Sequence, residues 1–353
     1  MLAFVVLDSA IFRSGLYANI SSTRSVAGHF AGVVRSQLAT APSGKREVLV
    51  LGHSKIEAAL SEKIFDQENP DSHLKLVLAA SGGTTEKMWY YLLKHVDPNR
   101  SRFAAIVVPM DTYRTPPLET DCENQIDVAQ LLAPMLDIAD WRDLIGTYTN
   151  PDVRPKVVLG ALVSSHLYAL DLQDLLVHPM GRFQELEQVK GNAKFLYNWD
   201  GYEGDLETLE VDRAKGKILH APAYLDAFRR AEAEVRFRVP PRELVAGWTQ
   251  RYHAFRREWV TRIIDFYAGS DTKVIFVQVP RWPFLMPLLT PIDGAPNLRD
   301  DIVASKNVTV LDESQFEDLE KPYYFYDVLH VNKRARREFT IRLAKSVRAL
   351  LGD

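Results

Sequence analysis

Three residues of this sequence carry the side chains of a serine nucleophile and its activating partners. Ser54 follows the apolar run 47–51, and Asp327 and His330 stand three positions apart near the other end of the chain. A serine hydroxyl becomes an effective nucleophile when an imidazole removes its proton, and that imidazole needs a carboxylate to fix its tautomer. The sequence therefore predicts a Ser-His-Asp triad assembled from distant segments.

Each member of this triad also has a structural interpretation. Ser54 and Glu57 fit the capping box, in which a serine satisfies an open amide at the start of a helix. An Asp and a His three residues apart commonly form a surface ion pair. However, Asp327 and His330 follow the last predicted strand and precede the last predicted helix, which Asn332 could cap. From there both could reach the sheet edge at which Ser54 lies.

Gly82 and Gly83 lie between a second apolar run and a predicted helix that Thr84 or Thr85 could cap. Backbone amides at such a position lack partners and can stabilise an oxyanion. The structural interpretation is a tight left-handed turn that requires glycine. The chain contains neither G-x-x-x-x-G-K-[ST] nor G-x-G-x-x-G, so nucleotide binding is disfavoured.

Five short runs rich in valine, isoleucine and leucine predict buried strands. They are residues 47–51, 74–79, 103–108, 273–279 and 307–311. Continuous apolar runs of this kind suit a parallel sheet that is covered on both faces.

Helical patterns follow the first two runs, at about 55–65 and 84–96, and a last helix covers about 333–351. Its apolar stripe consists of Phe339, Leu343, Val347 and Leu350. The alternation of strands and helices predicts an α/β fold, a three-layer αβα sandwich with a mostly parallel five-stranded sheet.

A long segment between the third and fourth runs interrupts this alternation and shows mainly helical patterns. Its clearest helix begins after Pro240-Pro241 and has one apolar face, which we expect to pack on the core or on a partner helix. That face consists of Leu244, Trp248, Tyr252, Phe255, Trp259, Ile263 and Phe266. The segment 195–220 is expected to be an exposed loop near the mouth of the site.

The chain therefore divides into three predicted parts. Residues 1–45 form an N-terminal extension, residues 46–114 and 271–353 form the catalytic domain, and residues 115–270 form a largely helical insertion or cap.

Composition excludes several classes of protein. The 353 residues are 46% hydrophobic and 25% charged with a net charge of -3, which is ordinary for a globular protein and argues against a nucleic-acid partner. Because Cys122 is the only cysteine, the chain forms no intrachain disulfide, cysteine-based zinc site or Cys-x-x-Cys redox pair. We expect no cofactor and no bound metal, and the sequence leaves the oligomeric state open.

The segment from Met1 to Phe12 is apolar except for Asp8 and is too short to span a bilayer. It also lacks the basic residues that open a signal peptide. Two interpretations stand: a buried first strand or helix, or the end of a membrane anchor whose beginning precedes this sequence.

The order of these blocks resembles the SGNH (GDSL-like) hydrolase and acyltransferase superfamily, over residues 47–114 and 273–345. The family's nucleophile turn maps onto Gly52-His53-Ser54, and its Asp-x-x-His block maps onto Asp327 and His330. The glycine of its second block, an oxyanion donor, falls on Gly82 or Gly83. The resemblance implies a flavodoxin-like sandwich with these residues at the strand ends.

Two positions depart from the family pattern. His53 replaces an aspartate that mainly shapes the turn. The family's Gly-x-Asn-Asp block falls on 109–112, so Asp111 replaces an amide that donates to the oxyanion, a loss of typically about 3 to 4 kcal/mol. Either Asp111 points elsewhere, Tyr113 or Arg114 replaces the donor, or activity is weak. The site-adjacent residues are His53, Asp111, Thr112, Tyr113 and Arg114.

The resemblance implies acyl-ester chemistry. Ser54 would attack an acyl donor with His330 as general base, Asp327 would orient His330, and the amides of Ser54 and Gly82 or Gly83 would hold the oxyanion. A sugar hydroxyl would then accept the acyl (acetyl) group, giving O-acyl transfer to a cell-envelope polysaccharide, or water would release it, giving ester hydrolysis. The implied partners are an acyl donor, a polysaccharide acceptor and a membrane acyl-transfer protein.

Residues 7–17 also resemble the juxtamembrane segment of membrane-anchored SGNH-like proteins that act on envelope polymers. This resemblance favours the periplasmic face of the cell envelope if an anchor precedes the sequence, and the cytoplasm otherwise. Two rival functions stay open. One is a catalytically inactive carbohydrate-binding or assembly-scaffold protein; the other, ranked last, is metal-assisted hydrolysis through His53, Asp111 and His330.

Overall fold

The computed structural model describes residues 2–22, 25–34, 38, 44–110, 125–190, 195–212, 215–237, 242–283, 302 and 306–353. The strands are β1 (Arg46–Gly52), β2 (Leu74–Ala80), β3 (Phe103–Met110), β4 (Glu210–Asp212), β5 (Lys217–His220), β6 (Lys273–Gln278) and β7 (Val308–Val310). Five of them form one sheet in the order β2-β1-β3-β6-β7, and β4 pairs with β5.

The five-stranded sheet confirms the predicted fold class, an α/β sandwich around a mostly parallel sheet. Its register runs straight across three parallel pairings: Val50 lies opposite Val107, Val107 opposite Ile275, and Ile275 opposite Thr309. Strands β1, β3 and β6 are buried along nearly their whole length. All five predicted strands are present, because a strand covered on both faces needs a continuous apolar run.

The helices, numbered in chain order, are α1 (Leu2–Phe12), α2 (Val26–Val33), α3 (Ser54–Ala59), α4 (Glu62–Glu68), α5 (Glu86–Val96), α6 (Ile126–Leu132), α7 (Ile138–Gly146), α8 (Arg154–Leu162), α9 (Ala169–Val177), α10 (Pro179–Lys190), α11 (Phe195–Asn198), α12 (Ala227–Phe237), α13 (Arg242–Phe266) and α14 (Lys333–Leu351). Helices α6 to α13 confirm that the insertion is largely helical. Its described part also holds the short β4-β5 hairpin, which the sequence did not predict.

The single helix predicted at 55–65 is wrong, because the chain forms two helices there. Leu60 ends α3 in an extended conformation, with φ −122° and ψ 144°. Ser61 then caps α4, since its hydroxyl accepts a hydrogen bond from the Ile64 amide at 3.3 Å. The break keeps the helix that carries Ser54 short.

The predicted apolar stripes of α13 and α14 are largely buried. In α13, Tyr252, Phe255, Trp259 and Ile263 are buried, whereas the side chains of Leu244 and Trp248 lie outside the described part of the structure. In α14 the buried residues are Phe339, Leu343 and Val347, and Leu350 is 39% exposed. The stripe of α14 therefore ends one turn earlier than predicted.

The chain forms two compact units. Unit 1 comprises Met1–Ala41, Ala79–Asn99 and Asp121–Leu196, and unit 2 comprises Pro42–Leu78, Arg100–Thr120 and Tyr197–Asp353. These units are defined by spatial contacts, and their boundaries differ from those of the three parts predicted from the sequence. The division into three parts stays a prediction.

The N-terminal helix α1 belongs to unit 1 and is anchored by its one charged residue. The buried Asp8 carboxylate accepts hydrogen bonds from the backbone amides of Ser164, at 2.6 Å, and Ser165, at 2.9 Å. Phe4 and Leu7, in contrast, are more than half exposed. The segment is thus a partly buried helix, and both interpretations of it stay predictions. Within the described ranges, no helix is both long and apolar enough to cross a membrane.

Candidate active site

The turn between β1 and α3 presents Ser54 at the carboxyl end of β1. A Cβ on Gly52 would lie 2.7 Å from Ile56 Cβ, so only glycine allows α3 to approach the strand this closely. His53, not Ser54, is the N-cap residue of α3, and its Nδ1 accepts a hydrogen bond from the Lys55 amide at 3.3 Å. The capping-box interpretation of Ser54 is therefore wrong.

Ser54, His330 and Asp327 form a continuous hydrogen-bonded chain. His330 Nε2 lies 3.0 Å from Ser54 Oγ, and His330 Nδ1 lies 3.0 Å from both carboxylate oxygens of Asp327. A carboxylate can only accept, so Nδ1 carries the proton and Nε2 is left to accept the serine proton. The structure thus brings the three predicted residues together in the order that nucleophilic catalysis requires.

The Asp327 carboxylate is buried and firmly held. Its Oδ1 accepts hydrogen bonds from the backbone amides of Leu329 and His330, each at 2.8 Å. Burial raises the pKa of the Asp327 carboxyl, but the hydrogen bond and positive charge of His330, together with the two amides, outweigh burial and hold the pKa below its usual value. Asp327 therefore keeps its negative charge next to the imidazole.

An arginine from the insertion completes the surroundings of this carboxylate. Arg229, on α12, places Nη1 3.2 Å from Asp327 Oδ2, and its guanidinium lies 4.5 Å from the centre of the Tyr326 ring. The sequence analysis missed Arg229, because an arginine about a hundred residues from the Asp-x-x-His block carries no motif that links it to the site.

Three tyrosine rings stack beside the triad and form what we call the aromatic column: Tyr202, Tyr326 and Tyr224. Tyr202 and Tyr224 stack on Tyr326 at centroid distances of 4.6 and 5.0 Å, and the Tyr202 ring lies 5.6 Å from that of His330. Trp199 meets Tyr202 edge-on at 5.0 Å. Burial raises the pKa of both the Tyr202 and Tyr224 phenols, so these two phenols are uncharged at neutral pH.

Residues 199–206, which we call the strap, are bonded to the segment around the triad rather than forming a free loop. Lys333 donates its amide to the Tyr202 carbonyl at 2.8 Å, and Asn332 Nδ2 donates to the Gly204 carbonyl at 2.8 Å. Gly204 has φ +113°, and a Cβ there would lie 2.6 Å from the Tyr224 ring. The strap is a loop, as expected, and Asp200, Glu203 and Gly204 are exposed, but it is held by hydrogen bonds close to the triad.

Helix α14 links the imidazole to the helix that carries the nucleophile. Asn332 caps α14 as predicted, because its Oδ1 accepts from the amides of Arg334 and Ala335. One turn further on, the buried Arg336 donates to the carbonyls of Glu57 and Ala58 at the end of α3, the latter at 3.1 Å. The two distant segments of the chain are thereby joined next to the site.

The glycine turn predicted as an oxyanion donor lies in unit 1. Gly82 and Gly83 connect β2 to α5, and Gly83 has φ +75°, the left-handed conformation that glycine favours. Thr85 occupies the N-cap position of α5 without a side-chain hydrogen bond to the helix, whereas Thr84 Oγ1 donates to the Ser81 carbonyl at 2.8 Å. The oxyanion role of this turn stays a prediction.

The remaining site-adjacent residues, Asp111, Thr112, Tyr113 and Arg114, lie outside the described residues. In the part of the chain that the structure covers, no group of three or more histidine, cysteine or carboxylate side chains could hold a metal ion. Comparisons with protein-family models and with curated proteins found no match for this chain. The geometry around Ser54 is therefore the basis on which a function is assigned.

Proposed function

We propose that the protein is a serine-dependent acyl-ester enzyme. Ser54 is the nucleophile, His330 is the general base, and Asp327 orients the base and stabilises its protonated form. The observation that carries this proposal is the pair of hydrogen bonds through the His330 ring. Nε2 lies 3.0 Å from Ser54 Oγ, and Nδ1 lies 3.0 Å from the Asp327 carboxylate. A hydrogen bond of this length meets the geometric requirement for proton transfer from a nucleophile.

The reaction proceeds in two acyl transfers. Ser54 Oγ attacks the carbonyl carbon of an ester while His330 Nε2 takes the serine proton; the leaving alcohol then departs with that proton, and an acyl-Ser54 ester remains. An acceptor hydroxyl, activated in turn by His330, attacks this ester and releases Ser54. Asp327 stabilises the imidazolium that forms in each half-reaction.

The oxyanion of each tetrahedral intermediate needs donors close to Ser54. As the first residue of α3, Ser54 has an amide without an acceptor inside the helix, which suits it to this role. The resemblance to SGNH enzymes adds the amide of Gly82 or Gly83 as a second donor. This assignment belongs to the proposal.

The acceptor decides between hydrolysis and transfer. The resemblance to SGNH proteins of the cell envelope favours transfer of an acyl group, such as acetyl, to a polysaccharide hydroxyl, with a membrane acyl-transfer protein as donor partner. Supporting this, the insertion supplies Tyr202 and Arg229 beside the triad, where an acceptor would enter. Water as the acceptor would give an esterase with the same first half-reaction.

A catalytically inactive scaffold is the second candidate, and the departures at His53 and Asp111 are what favour it. The role of His53 as a helix cap weakens this alternative, because the residue shapes the turn as the family's aspartate would. The 3.0 Å approach of His330 to Ser54 also supports catalysis over a purely structural role.

The test is acylation by an activated acetyl ester such as 4-nitrophenyl acetate. We expect wild-type protein to release nitrophenolate and to gain the mass of one acetyl group on Ser54, whereas Ser54→Ala and His330→Ala do neither. Ser346→Ala, which removes a serine of α14 bonded only to Gln315 among the described contacts, is the matched control and should behave as wild type. Equal rates in all four proteins would contradict the proposal.

A further inference from the structure

We propose that Arg229 is a positioning residue of the triad, which fixes the Asp327 carboxylate in the orientation that holds the His330 imidazole. This inference rests on the proposed function of Ser54, His330 and Asp327, and it extends the site into the insertion.

The contacts of Asp327 show where Arg229 acts. The two backbone amides bind Oδ1 alone, whereas Oδ2 is shared by His330 Nδ1 at 3.0 Å and Arg229 Nη1 at 3.2 Å. Of the described residues, Arg229 is the one donor to this carboxylate from outside the segment 327–330. It therefore sets the orientation of the oxygen that the local backbone leaves free.

Arg229 is itself held in place. Its backbone amide donates to Asp226 Oδ1 at 2.8 Å at the start of α12, and its guanidinium lies over the ring of Tyr326. Tyr224, which precedes α12, donates its hydroxyl to the Tyr326 carbonyl at 3.0 Å. The side chain is 26% exposed, so its charge is only partly screened by water.

The alignment of the carboxylate matters for a general base. An imidazole is aimed at the nucleophile only while its Nδ1–H has an acceptor in place. By holding Asp327 Oδ2, Arg229 keeps that acceptor aligned with Nδ1 and so keeps Nε2 directed at Ser54 Oγ.

The experiment determines the tautomer of the His330 ring by NMR, with its signals assigned by comparison with His330→Gln. We expect Arg229→Gln to increase the share of rings that carry the proton on Nε2, because the carboxylate no longer holds Nδ1–H firmly, and to lower kcat about tenfold with little change in KM. Arg229→Lys should keep most of the wild-type tautomer ratio and kcat. Arg342→Gln is the matched control, because Arg342 is 32% exposed and also paired with an aspartate, Asp318.

If Arg229→Gln does not fold, Arg229→Met, which keeps an apolar stem against Tyr326, serves in its place. An unchanged tautomer ratio in the neutral variants overturns the inference, as does an equal change in Arg342→Gln. Because the tautomer measurement needs no turnover, loss of the proposed esterase activity and failure of the Arg229 inference are separate outcomes.

Discussion

At the scale of single residues, a carboxyl as deeply buried as that of Asp327 would ordinarily take up a proton. Burial raises the pKa of the Asp327 carboxyl, yet the hydrogen bond to His330, its charge and the two amides lower the pKa further than burial raises it. The folded state therefore stabilises the ionised acid. This contribution to stability is complete above the pKa of the unfolded state, about 3.9, and is lost as the pH falls through the lower pKa of the folded state.

Asp327→Asn tests this assignment. We expect the variant to lose roughly 10⁴-fold in kcat, because an amide can hold the imidazole in the wrong tautomer. Urea unfolding should show wild type more stable than Asp327→Asn at pH 7, with the difference shrinking below about pH 4 as the wild-type carboxylate is protonated. A difference in stability that is constant across this pH range would contradict the depressed pKa.

His53 shows why a local motif can mislead at this scale. Ser54 and Glu57 have the spacing of a capping box, but His53 already caps α3 through Nδ1. Histidine is seldom an N-cap residue, so the sequence gives no warning. The consequence is functional, since a serine committed to capping its own helix would not be available to His330.

At the scale of elements, α14 is the helix on which the site depends most. Thr340, fully buried on α14, accepts a hydrogen bond from the Ser61 amide at 3.1 Å and donates one to the Arg336 carbonyl at 2.7 Å. It thus fixes the break between α3 and α4, one turn away from the contacts of Arg336 with the end of α3.

Thr340→Val should destabilise the protein by about 1 to 3 kcal/mol, because it leaves the buried Ser61 amide without an acceptor. Thr340→Ser keeps the hydroxyl and is the matched variant; it should lose less, chiefly from the missing methyl group. Urea unfolding of both variants provides the measurement. Equal losses would mean that packing, not the hydrogen bond, holds this junction.

The elements of the sheet could be predicted from the sequence, whereas much of what surrounds the triad could not. Continuous apolar runs identify β1 and β3, and parallel strands place the residues that follow them at one edge. Tyr202 lies on the irregular strap and Arg229 on the short helix α12. No periodic pattern in the sequence indicates that either side chain lies at the site. The break at Leu60 could not be predicted either, because the residues on both sides of it favour a helix.

At the scale of the whole molecule, exposed apolar side chains are concentrated in unit 1. Thirteen of the seventeen large hydrophobic residues exposed among the described residues belong to it, including Phe4, Leu162, Leu170 and Phe183. Within this unit, α1 is attached both by the buried Phe12, whose ring stacks on that of Tyr168, and by the hydrogen bonds of Asp8.

Asp8→Ala should weaken the attachment of α1 to unit 1. The substitution leaves the amides of Ser164 and Ser165 without their acceptor, a loss of about 1 to 3 kcal/mol. Hydrogen exchange at these two amides is expected to accelerate, and protease should cleave within 2–12. Asp152→Ala, at an exposed aspartate of the same unit, is the control. If exchange at Ser164 and Ser165 is unchanged in Asp8→Ala, the carboxylate does not anchor the helix.

The joining of α3 to α14 also bears on how the protein is made. On a ribosome, Ser54 leaves the exit tunnel well before the codons of Asp327 and His330 have been read. A nascent chain of that length carries an ordinary alcohol, because the base that would activate it has not been polymerised. The proposed ester cleavage can begin only once translation has passed α14 and this helix has folded back. Completion of the fold therefore sets the time at which the serine becomes reactive.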